Sequence, residues 1–100
     1  MQLVIPDALK DSAYTENMIN KHGRLPRQRD AVTKELDKIE GISYVKNSAA
    51  FYIFPKLDLK RHGFESDKEF AKKLLEEKHV LIIPGSGFSC VDKSHFRIVM

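Results

Sequence analysis

The sequence has very little cysteine and no long apolar run. Cys90 is the only cysteine among 100 residues, so no disulfide can close within the chain, which favours a reducing compartment. No apolar stretch approaches the ~20 residues that span a bilayer. The opening residues lack the basic start of a secretory signal. These absences predict a cytoplasmic protein with no membrane partner.

Clusters of metal-ligating residues are also missing from the sequence. No histidine stands four residues from another; the four are His22, His62, His79 and His95. A zinc site needs several closely placed His and Cys ligands, which one cysteine and scattered histidines do not supply. Cys90 has no neighbour that the sequence can place to activate its thiol, so we interpret it as a small loop residue. We expect no metal.

A strong charge of one sign is absent as well. Seventeen Lys and Arg stand against fourteen Asp and Glu, which gives a formal net charge of +3. The two signs are interleaved along the chain, as is typical of a solvated surface and not of a phosphate-binding track. Arg24, Arg27 and Arg29 precede an amphipathic pattern with interleaved acids, which favours structural ion pairs. We therefore predict no nucleic-acid partner.

Helix signals dominate the first part of the chain. Asp11 or Ser12 can cap a short helix through its side-chain oxygen. Gly23 stands where the glycine after a helix end would stand. Apolar residues at helical spacing predict a second helix over residues 26–40, ended by Gly41.

Strand signals follow, and they predict a hairpin. Residues 42–46 and 50–54 are two short strand patterns, joined by residues 47–49. The second strand is apolar on both faces, which indicates that both faces are covered. Residues 56–65 are interpreted as a polar loop that connects this hairpin to the next helix.

A capping box opens the next helix. Ser66 can accept from the amide three residues on, while Glu69 reaches back, and the helix should end near Lys78. With the strands on either side, the order of elements predicts a single α+β domain over residues 1–100. Its small, mainly antiparallel sheet should carry helices packed on one face.

The most informative stretch is residues 80–99. An apolar strand over residues 80–83 is followed by Pro84, which should stop it, and by Gly85-Ser86-Gly87. This loop lacks a third glycine and does not open a helix, so it is no dinucleotide fingerprint. We interpret it as a tight turn in which glycine supplies a positive φ. A second strand is predicted over residues 95–99.

Arg97 lies on that second strand, one residue from Phe96 and one from Ile98. If Phe96 and Ile98 face the core, period-2 alternation directs Arg97 to the opposite face, beside the loop. Spacing alone leaves two readings open. Most strand arginines are surface ion-pair partners, but a guanidinium held on a strand is also a rigid bidentate receptor for a carboxylate.

Several segments together resemble a known family. They are VLIIPGSGF over residues 80–88, HFRIV over residues 95–99, Gly23-Arg24-Leu25 with Arg27-Gln28-Arg29, and AFYIFP over residues 50–55. In sequence and spacing they are similar to the C-terminal small domain of fold-type-I, pyridoxal-phosphate-dependent aminotransferases of class I/II. The likeness covers nearly the whole chain and is greatest to the alanine aminotransferase branch. One departure is Ala49, which stands where the family usually has glycine and would be strained if φ is positive there.

The resemblance implies a function and a missing part. The chain has no Ser-x-x-Lys followed by Gly-x-Arg, the family's cofactor-lysine segment, so it resembles a fragment without the large cofactor-binding domain. The parent enzyme would transfer an amino group between an amino acid and a 2-oxo acid. It would use pyridoxal 5'-phosphate and act as a homodimer. Arg97 would bind the substrate α-carboxylate, and Phe88 would pack beside the substrate. No catalytic or cofactor-binding residue is implied in this segment.

A second hypothesis belongs to a different class. The chain could be a free-standing α+β binding module for a small anionic ligand or a protein partner. The second apolar face of the strand over residues 50–54 would then be its docking surface.

We expect the isolated chain to form no Schiff base with pyridoxal phosphate, because it lacks the family's lysine segment. Absorption spectroscopy after dialysis with the cofactor measures this. A visible band that survives dialysis and disappears on borohydride reduction would contradict the expectation.

Overall fold

The computed structural model describes residues 2–48 and 51–100, and it divides the chain into two units, Met1–Lys34 and Glu35–Met100. The α-helices are α1 (Ile5–Lys10), α2 (Ser12–Ile19), α3 (Arg24–Leu36), α4 (Leu59–His62) and α5 (Asp67–Lys78). The strands are β1 (Ile42–Ser43), β2 (Tyr52–Ile53), β3 (Lys56–Leu57), β4 (Ile83–Pro84) and β5 (Phe96–Val99). Gln2–Val4 and Gly85–Phe88 form 3-10 helices.

In the first unit, the predicted short helix is confirmed as α2. Asp11 is its N-cap, and the Asp11 carboxylate accepts from the Tyr14 amide at 3.1 Å. The prediction that Gly23 ends this helix is wrong, because the helix is already capped at Asn20. Gly23 instead lies against the last turn, where an added Cβ would meet the Asn17 carbonyl oxygen at 2.5 Å. The glycine is therefore required by close approach of two backbone segments.

Helix α3 begins earlier and ends earlier than the predicted 26–40. Pro26 is its third residue, a position where an N–H is not needed for the helical ladder. The helix ends at Leu36, and the Ile39 amide donates to the Leu36 carbonyl at 3.0 Å in a tighter turn. Gly41, at φ +84°, lies in the turn that leads into β1. It therefore ends that turn and not the helix itself.

The strands of the second unit pair differently from the predicted hairpin. Strands β1 and β3 form one antiparallel pair, while β2, β5 and β4 form a three-stranded antiparallel sheet with β5 in the middle. Ile53 of β2 lies opposite Ile98, so the apolar strand pairs with the end of the chain and not with its neighbour. The hairpin prediction is wrong because burial of Ile53 outweighs the proximity of the strands in sequence. Ala49 and Ala50 lie outside the described residues.

Residues 56–65 do not form the polar loop that their composition predicts. Leu57 is only 3% exposed and belongs to the core. Helix α4 follows directly, with Asp58 as its N-cap accepting from the Arg61 amide at 3.1 Å. A single buried leucine within a charged segment is too short a signal for strand periodicity to detect.

The capping box of α5 is confirmed with one change. Ser66 Oγ accepts from the Glu69 amide at 3.2 Å, as predicted. The Glu69 carboxylate accepts from the amide of Glu65 at 2.7 Å, one residue beyond the usual partner. The helix ends at Lys78, so its predicted bounds are correct.

The core of the second unit lies between α5 and the strands. Its buried members are Leu57, Ala71, Ile82 and Phe96. The ring of Phe70 on α5 lies 5.3 Å from the ring of Phe96 on β5, measured between centroids. Helix and sheet thus share one apolar layer, and the α+β class predicted from the sequence is confirmed.

The strand that the sequence marks as apolar on both faces has one open side in this unit. Ile53 is fully buried, whereas Tyr52 and Phe54, which alternate with it, are exposed. Pro55 does not end the sheet region, because its carbonyl accepts from the Phe96 amide at 3.0 Å and β3 begins at the next residue. An aromatic surface is left beside β5.

Two kinds of feature are absent from residues 2–48 and 51–100. No helix there combines the length and apolarity that a membrane crossing requires. No three His, Cys, Asp or Glu side chains within these ranges come together as a metal-ion site would require.

Leu57→Ala should destabilise the fold by about 2–5 kcal/mol, because it removes buried methyl groups and leaves a cavity beside Phe96. Leu81→Ala is the matched control, since Leu81 is 77% exposed, and it should change the free energy of unfolding by less than about 0.5 kcal/mol. Urea denaturation of both variants measures the difference. Equal effects would mean that Leu57 is not a core residue.

Candidate functional site

Strand β5 places Arg97 on the side of the sheet away from the core. Phe96 is buried, and Arg97 follows it on the opposite face, where it is half-buried and paired in register with Ile83. The alternation read from the sequence therefore gives the correct face for Arg97.

Two aromatic rings lie against the Arg97 guanidinium. Its central carbon Cζ is 4.8 Å from the centroid of the Tyr52 ring and 4.5 Å from that of Phe88. Tyr52 comes from the neighbouring strand β2, and Phe88 from the 3-10 helix before β5. Both distances are within the range of cation–π attraction. We call Tyr52, Phe88 and Arg97 the Arg97 site.

Arg97 has no acidic partner in the described part of the chain. None of the ion pairs formed by residues 2–48 and 51–100 includes it. Its Nε is buried and has no hydrogen-bond acceptor among those residues. A guanidinium offers five N–H donors in a planar fork that matches a carboxylate. The two rings therefore lie against a cation that has no ion-pair partner among the described residues.

The loop that carries Phe88 is held by a close approach at Gly85. The Gly85 amide donates to the His95 carbonyl at 2.7 Å, and an added Cβ would meet His95 atoms at 2.9 Å. The predicted positive φ at Gly85 and Gly87 is wrong; Ser89 has it instead, at 58°. Where the sequence predicts a tight turn, the segment Gly85–Phe88 forms one short 3-10 helix. The glycine at 85 is needed because the backbone there lies against His95, the residue before β5.

An aromatic row extends the Arg97 site along the sheet. The Phe54 ring stacks on His95 at 5.2 Å with an angle of 11° between planes, and it meets Phe88 edge-on at 6.2 Å. Sequence reasoning missed Tyr52 and Phe54 as members of this surface. Their alternation with Ile53 was visible, but the pairing that brings β2 beside β5 was not.

An ion pair holds the other end of the loop. Lys56 Nζ lies 2.6 Å from Asp92 Oδ2, and Ser94 Oγ donates to the second carboxylate oxygen of Asp92. The hydrogen bond from Lys56, followed by that from Ser94, lowers the pKa of Asp92 to about 2. The same hydrogen bond raises the pKa of Lys56. The loop before β5 is thus tied to β3.

The chain belongs to the class I and II aminotransferase family, whose model matches residues 1–100. It is 37% identical over 99 residues to a glutamate-pyruvate aminotransferase, AlaA, of Haemophilus influenzae. It is 34% identical over 98 residues to an alanine aminotransferase of Mycobacterium tuberculosis. These matches cover 99% and 98% of this chain, but 24% and 23% of the two relatives. The chain therefore spans about a quarter of the length of the curated relatives it matches.

Solved structures show the same relationship. An aminotransferase from Escherichia coli superposes with a TM-score of 0.80 at 36% identity, over 84% of this chain and 21% of that one. An alanine aminotransferase from Pyrococcus furiosus superposes with a TM-score of 0.68 at 44% identity, over 75% of this chain and 19% of that one. The family resemblance read from the motifs is confirmed.

Acidification should weaken the Lys56–Asp92 ion pair over a defined range of pH. The pKa of Asp92 is lower in the folded state than its ordinary 3.8, so its stabilisation is complete above that value. It is lost as the pH falls through about 2. Unfolding free energies measured across this range should therefore fall less steeply for Asp92→Asn than for the parent.

Lys60→Met is the control, because Lys60 is an exposed lysine of α4 outside this pair. It should keep the parent's pH dependence, whereas Lys56→Met should flatten it. If the unfolding free energies of Lys56→Met and Lys60→Met depend on pH in the same way, the Lys56–Asp92 ion pair does not set the pKa of Asp92.

Proposed function

We propose that this chain is the small domain of a pyridoxal-phosphate-dependent transaminase, and that Arg97 binds the α-carboxylate of the substrate. The observation that carries the proposal is the Arg97 guanidinium, which lies against two aromatic rings and whose Nε has no acceptor among the described residues. Every amino acid and every 2-oxo acid presents a carboxylate, and a half-buried guanidinium is its natural bidentate receptor. Membership of the family supports the reaction class.

The cofactor itself does not fit the residues of the Arg97 site. A Schiff base needs a lysine, and none belongs to this site; Lys56, on nearby β3, is already paired with Asp92. The large domain of the same protein would supply the lysine and the phosphate-binding groups. Pyridoxal phosphate, held there, supplies the electron sink of transamination. The parent enzyme is proposed to be a cytoplasmic homodimer.

The contribution of this chain is to bind and orient the substrate. Two parallel N–H···O bonds from Arg97 would hold the carboxylate in one plane and so fix the direction of the amino group. Tyr52 and Phe88 both lie against the guanidinium and limit its contact with water. In that partly dry setting the attraction between the two charges is stronger than in bulk solvent. The names of the relatives make alanine, glutamate and pyruvate the first substrates to test.

Arg97→Lys in the complete polypeptide should lower kcat/KM for amino acids by roughly 2–5 kcal/mol, the scale of a broken, partly buried charge pair. Lysine keeps the positive charge but loses the bidentate fork, so KM should rise. The value of kcat should also fall, because the amino group is no longer aimed at the cofactor. Steady-state kinetics with alanine and with an amine that lacks a carboxylate measure the effect, and the amine should lose much less.

Arg61→Lys is the matched control, because the exposed Arg61 pairs with Glu40 away from the Arg97 site. It should leave kcat/KM unchanged for both alanine and the amine. If Arg97→Lys keeps kcat/KM for amino acids within about threefold of the parent, Arg97 is an ordinary surface arginine. If the reading frame carries no cofactor-binding domain upstream, the chain is a free-standing binding module instead.

A further inference from the structure

Asp67 is a deeply buried acid that the proposed function does not use. It is the first residue of α5, only 2% of its surface is exposed, and no ion pair joins it to Arg97 among the described residues. Its Oδ2 accepts a hydrogen bond from the Ser86 amide at 2.6 Å, across nineteen residues of sequence. This is a charge-assisted bond between a helix start and the middle of the glycine loop.

Asp67 also holds the far end of the same loop. Its amide donates to the Lys93 carbonyl at 3.0 Å. One residue on a well-capped helix therefore fixes the loop near both ends, through its side chain at Ser86 and through its backbone at Lys93. The loop between β4 and β5 is thereby tied to α5.

The hydrogen bond between the Ser86 amide and Asp67 fixes the position of Phe88. Both residues belong to the 3-10 helix Gly85–Phe88, so holding the Ser86 amide holds the turn that presents the Phe88 ring 4.5 Å from Arg97 Cζ. The Ser89 amide closes the turn on the Ser86 carbonyl at 3.3 Å. A displacement at Ser86 would therefore move Phe88 relative to Arg97.

The arrangement is poorly explained by stability alone. Asp67 Oδ1 and Ser86 Oγ are both buried, and neither has a hydrogen-bond partner within the described ranges. A buried carboxylate with an unpaired oxygen costs folding free energy, and apolar residues of similar volume are often as good or better at such places. What the Asp67–Ser86 hydrogen bond contributes is therefore a fixed geometry of the loop.

We propose that Asp67 is a positioning residue for substrate binding: through Ser86 it holds Phe88 against Arg97, so that the guanidinium is presented to the carboxylate in one orientation. The proposal rests on the proposed function of Arg97. It adds a residue that never touches the substrate, on a helix outside the Arg97 site.

Kinetics of two Asp67 variants in the complete polypeptide test the proposal. Asp67→Leu removes the acceptor and should raise KM for alanine by about tenfold with a smaller change in kcat, because the carboxylate receptor loses its fixed orientation. Asp67→Asn keeps an acceptor oxygen for the Ser86 amide and should stay within about threefold of the parent. An amine without a carboxylate should react equally well with all three proteins.

Ser66→Ala is the matched control, because it weakens the start of the same helix without touching the loop. It should leave KM unchanged. Should Asp67→Leu lower activity toward alanine and the amine equally, or should Ser66→Ala give the same rise in KM, Asp67 is a structural residue and the proposal is wrong.

A second measurement separates this proposal from the proposed function. Hydrogen exchange should show faster exchange at the Ser89 and Cys90 amides in Asp67→Leu but not in Asp67→Asn, since both amides close the turn that Asp67 holds. Unchanged exchange in Asp67→Leu would refute the tether whatever the kinetics show. Faster exchange with no effect of Arg97→Lys on kinetics would instead refute the role of Arg97.

If Asp67→Leu does not fold, Ser86→Pro removes the same hydrogen bond from the loop side. Proline lacks the N–H, and its fixed φ is compatible with the first turn of a 3-10 helix. The expected result is again a raised KM for alanine with the amine unaffected. A KM equal to that of the parent would overturn the proposal.

Discussion

The second unit depends on the antiparallel pairing of β5 with strands on both of its sides. With β2 on one side and β4 on the other, β5 is a central strand whose faces have different environments. Phe96 fills the core beneath α5, and the next residue, Arg97, must then point away from it. Burial of Phe96 is therefore what presents Arg97, since a slip of one residue would exchange the two.

Arg97 lies against two aromatic rings, and no acid in the part of the chain that the structure describes pairs with it. A carboxylate partner within the chain would neutralise the guanidinium and would compete with any carboxylate that arrives from solution. Tyr52 and Phe88 attract the cation through their ring faces but occupy none of its N–H donors. Among residues 2–48 and 51–100, no atom accepts from the Arg97 Nε, so the rings hold the guanidinium without engaging that donor.

The loop before β5 is built for rigidity. Gly85 lets the loop backbone lie against His95, Asp67 ties Ser86 to α5, and Lys56 holds Asp92. The first contact closes the loop on itself, and the other two join it to α5 and β3, so the loop cannot shift as a unit without breaking both of these. If Arg97 binds the substrate as proposed, a rigid loop reduces the entropy that this binding would otherwise cost.

Local chemistry, read from the sequence alone, was enough for the helix cap at Ser66, for a cap at Asp11 or Ser12, for the face of β5 that carries Arg97, and for the family. These features depend on residues no more than four positions apart or on short motifs. Only the tertiary structure decided that β2 pairs with β5, that Tyr52 lies on Arg97, and that Asp67 reaches Ser86. Such contacts join distant segments, and they are selected by the burial of Ile53, Leu57 and Phe96 in one core. No local sequence pattern indicates which of these segments pair, because the pairing is a property of the whole packed unit.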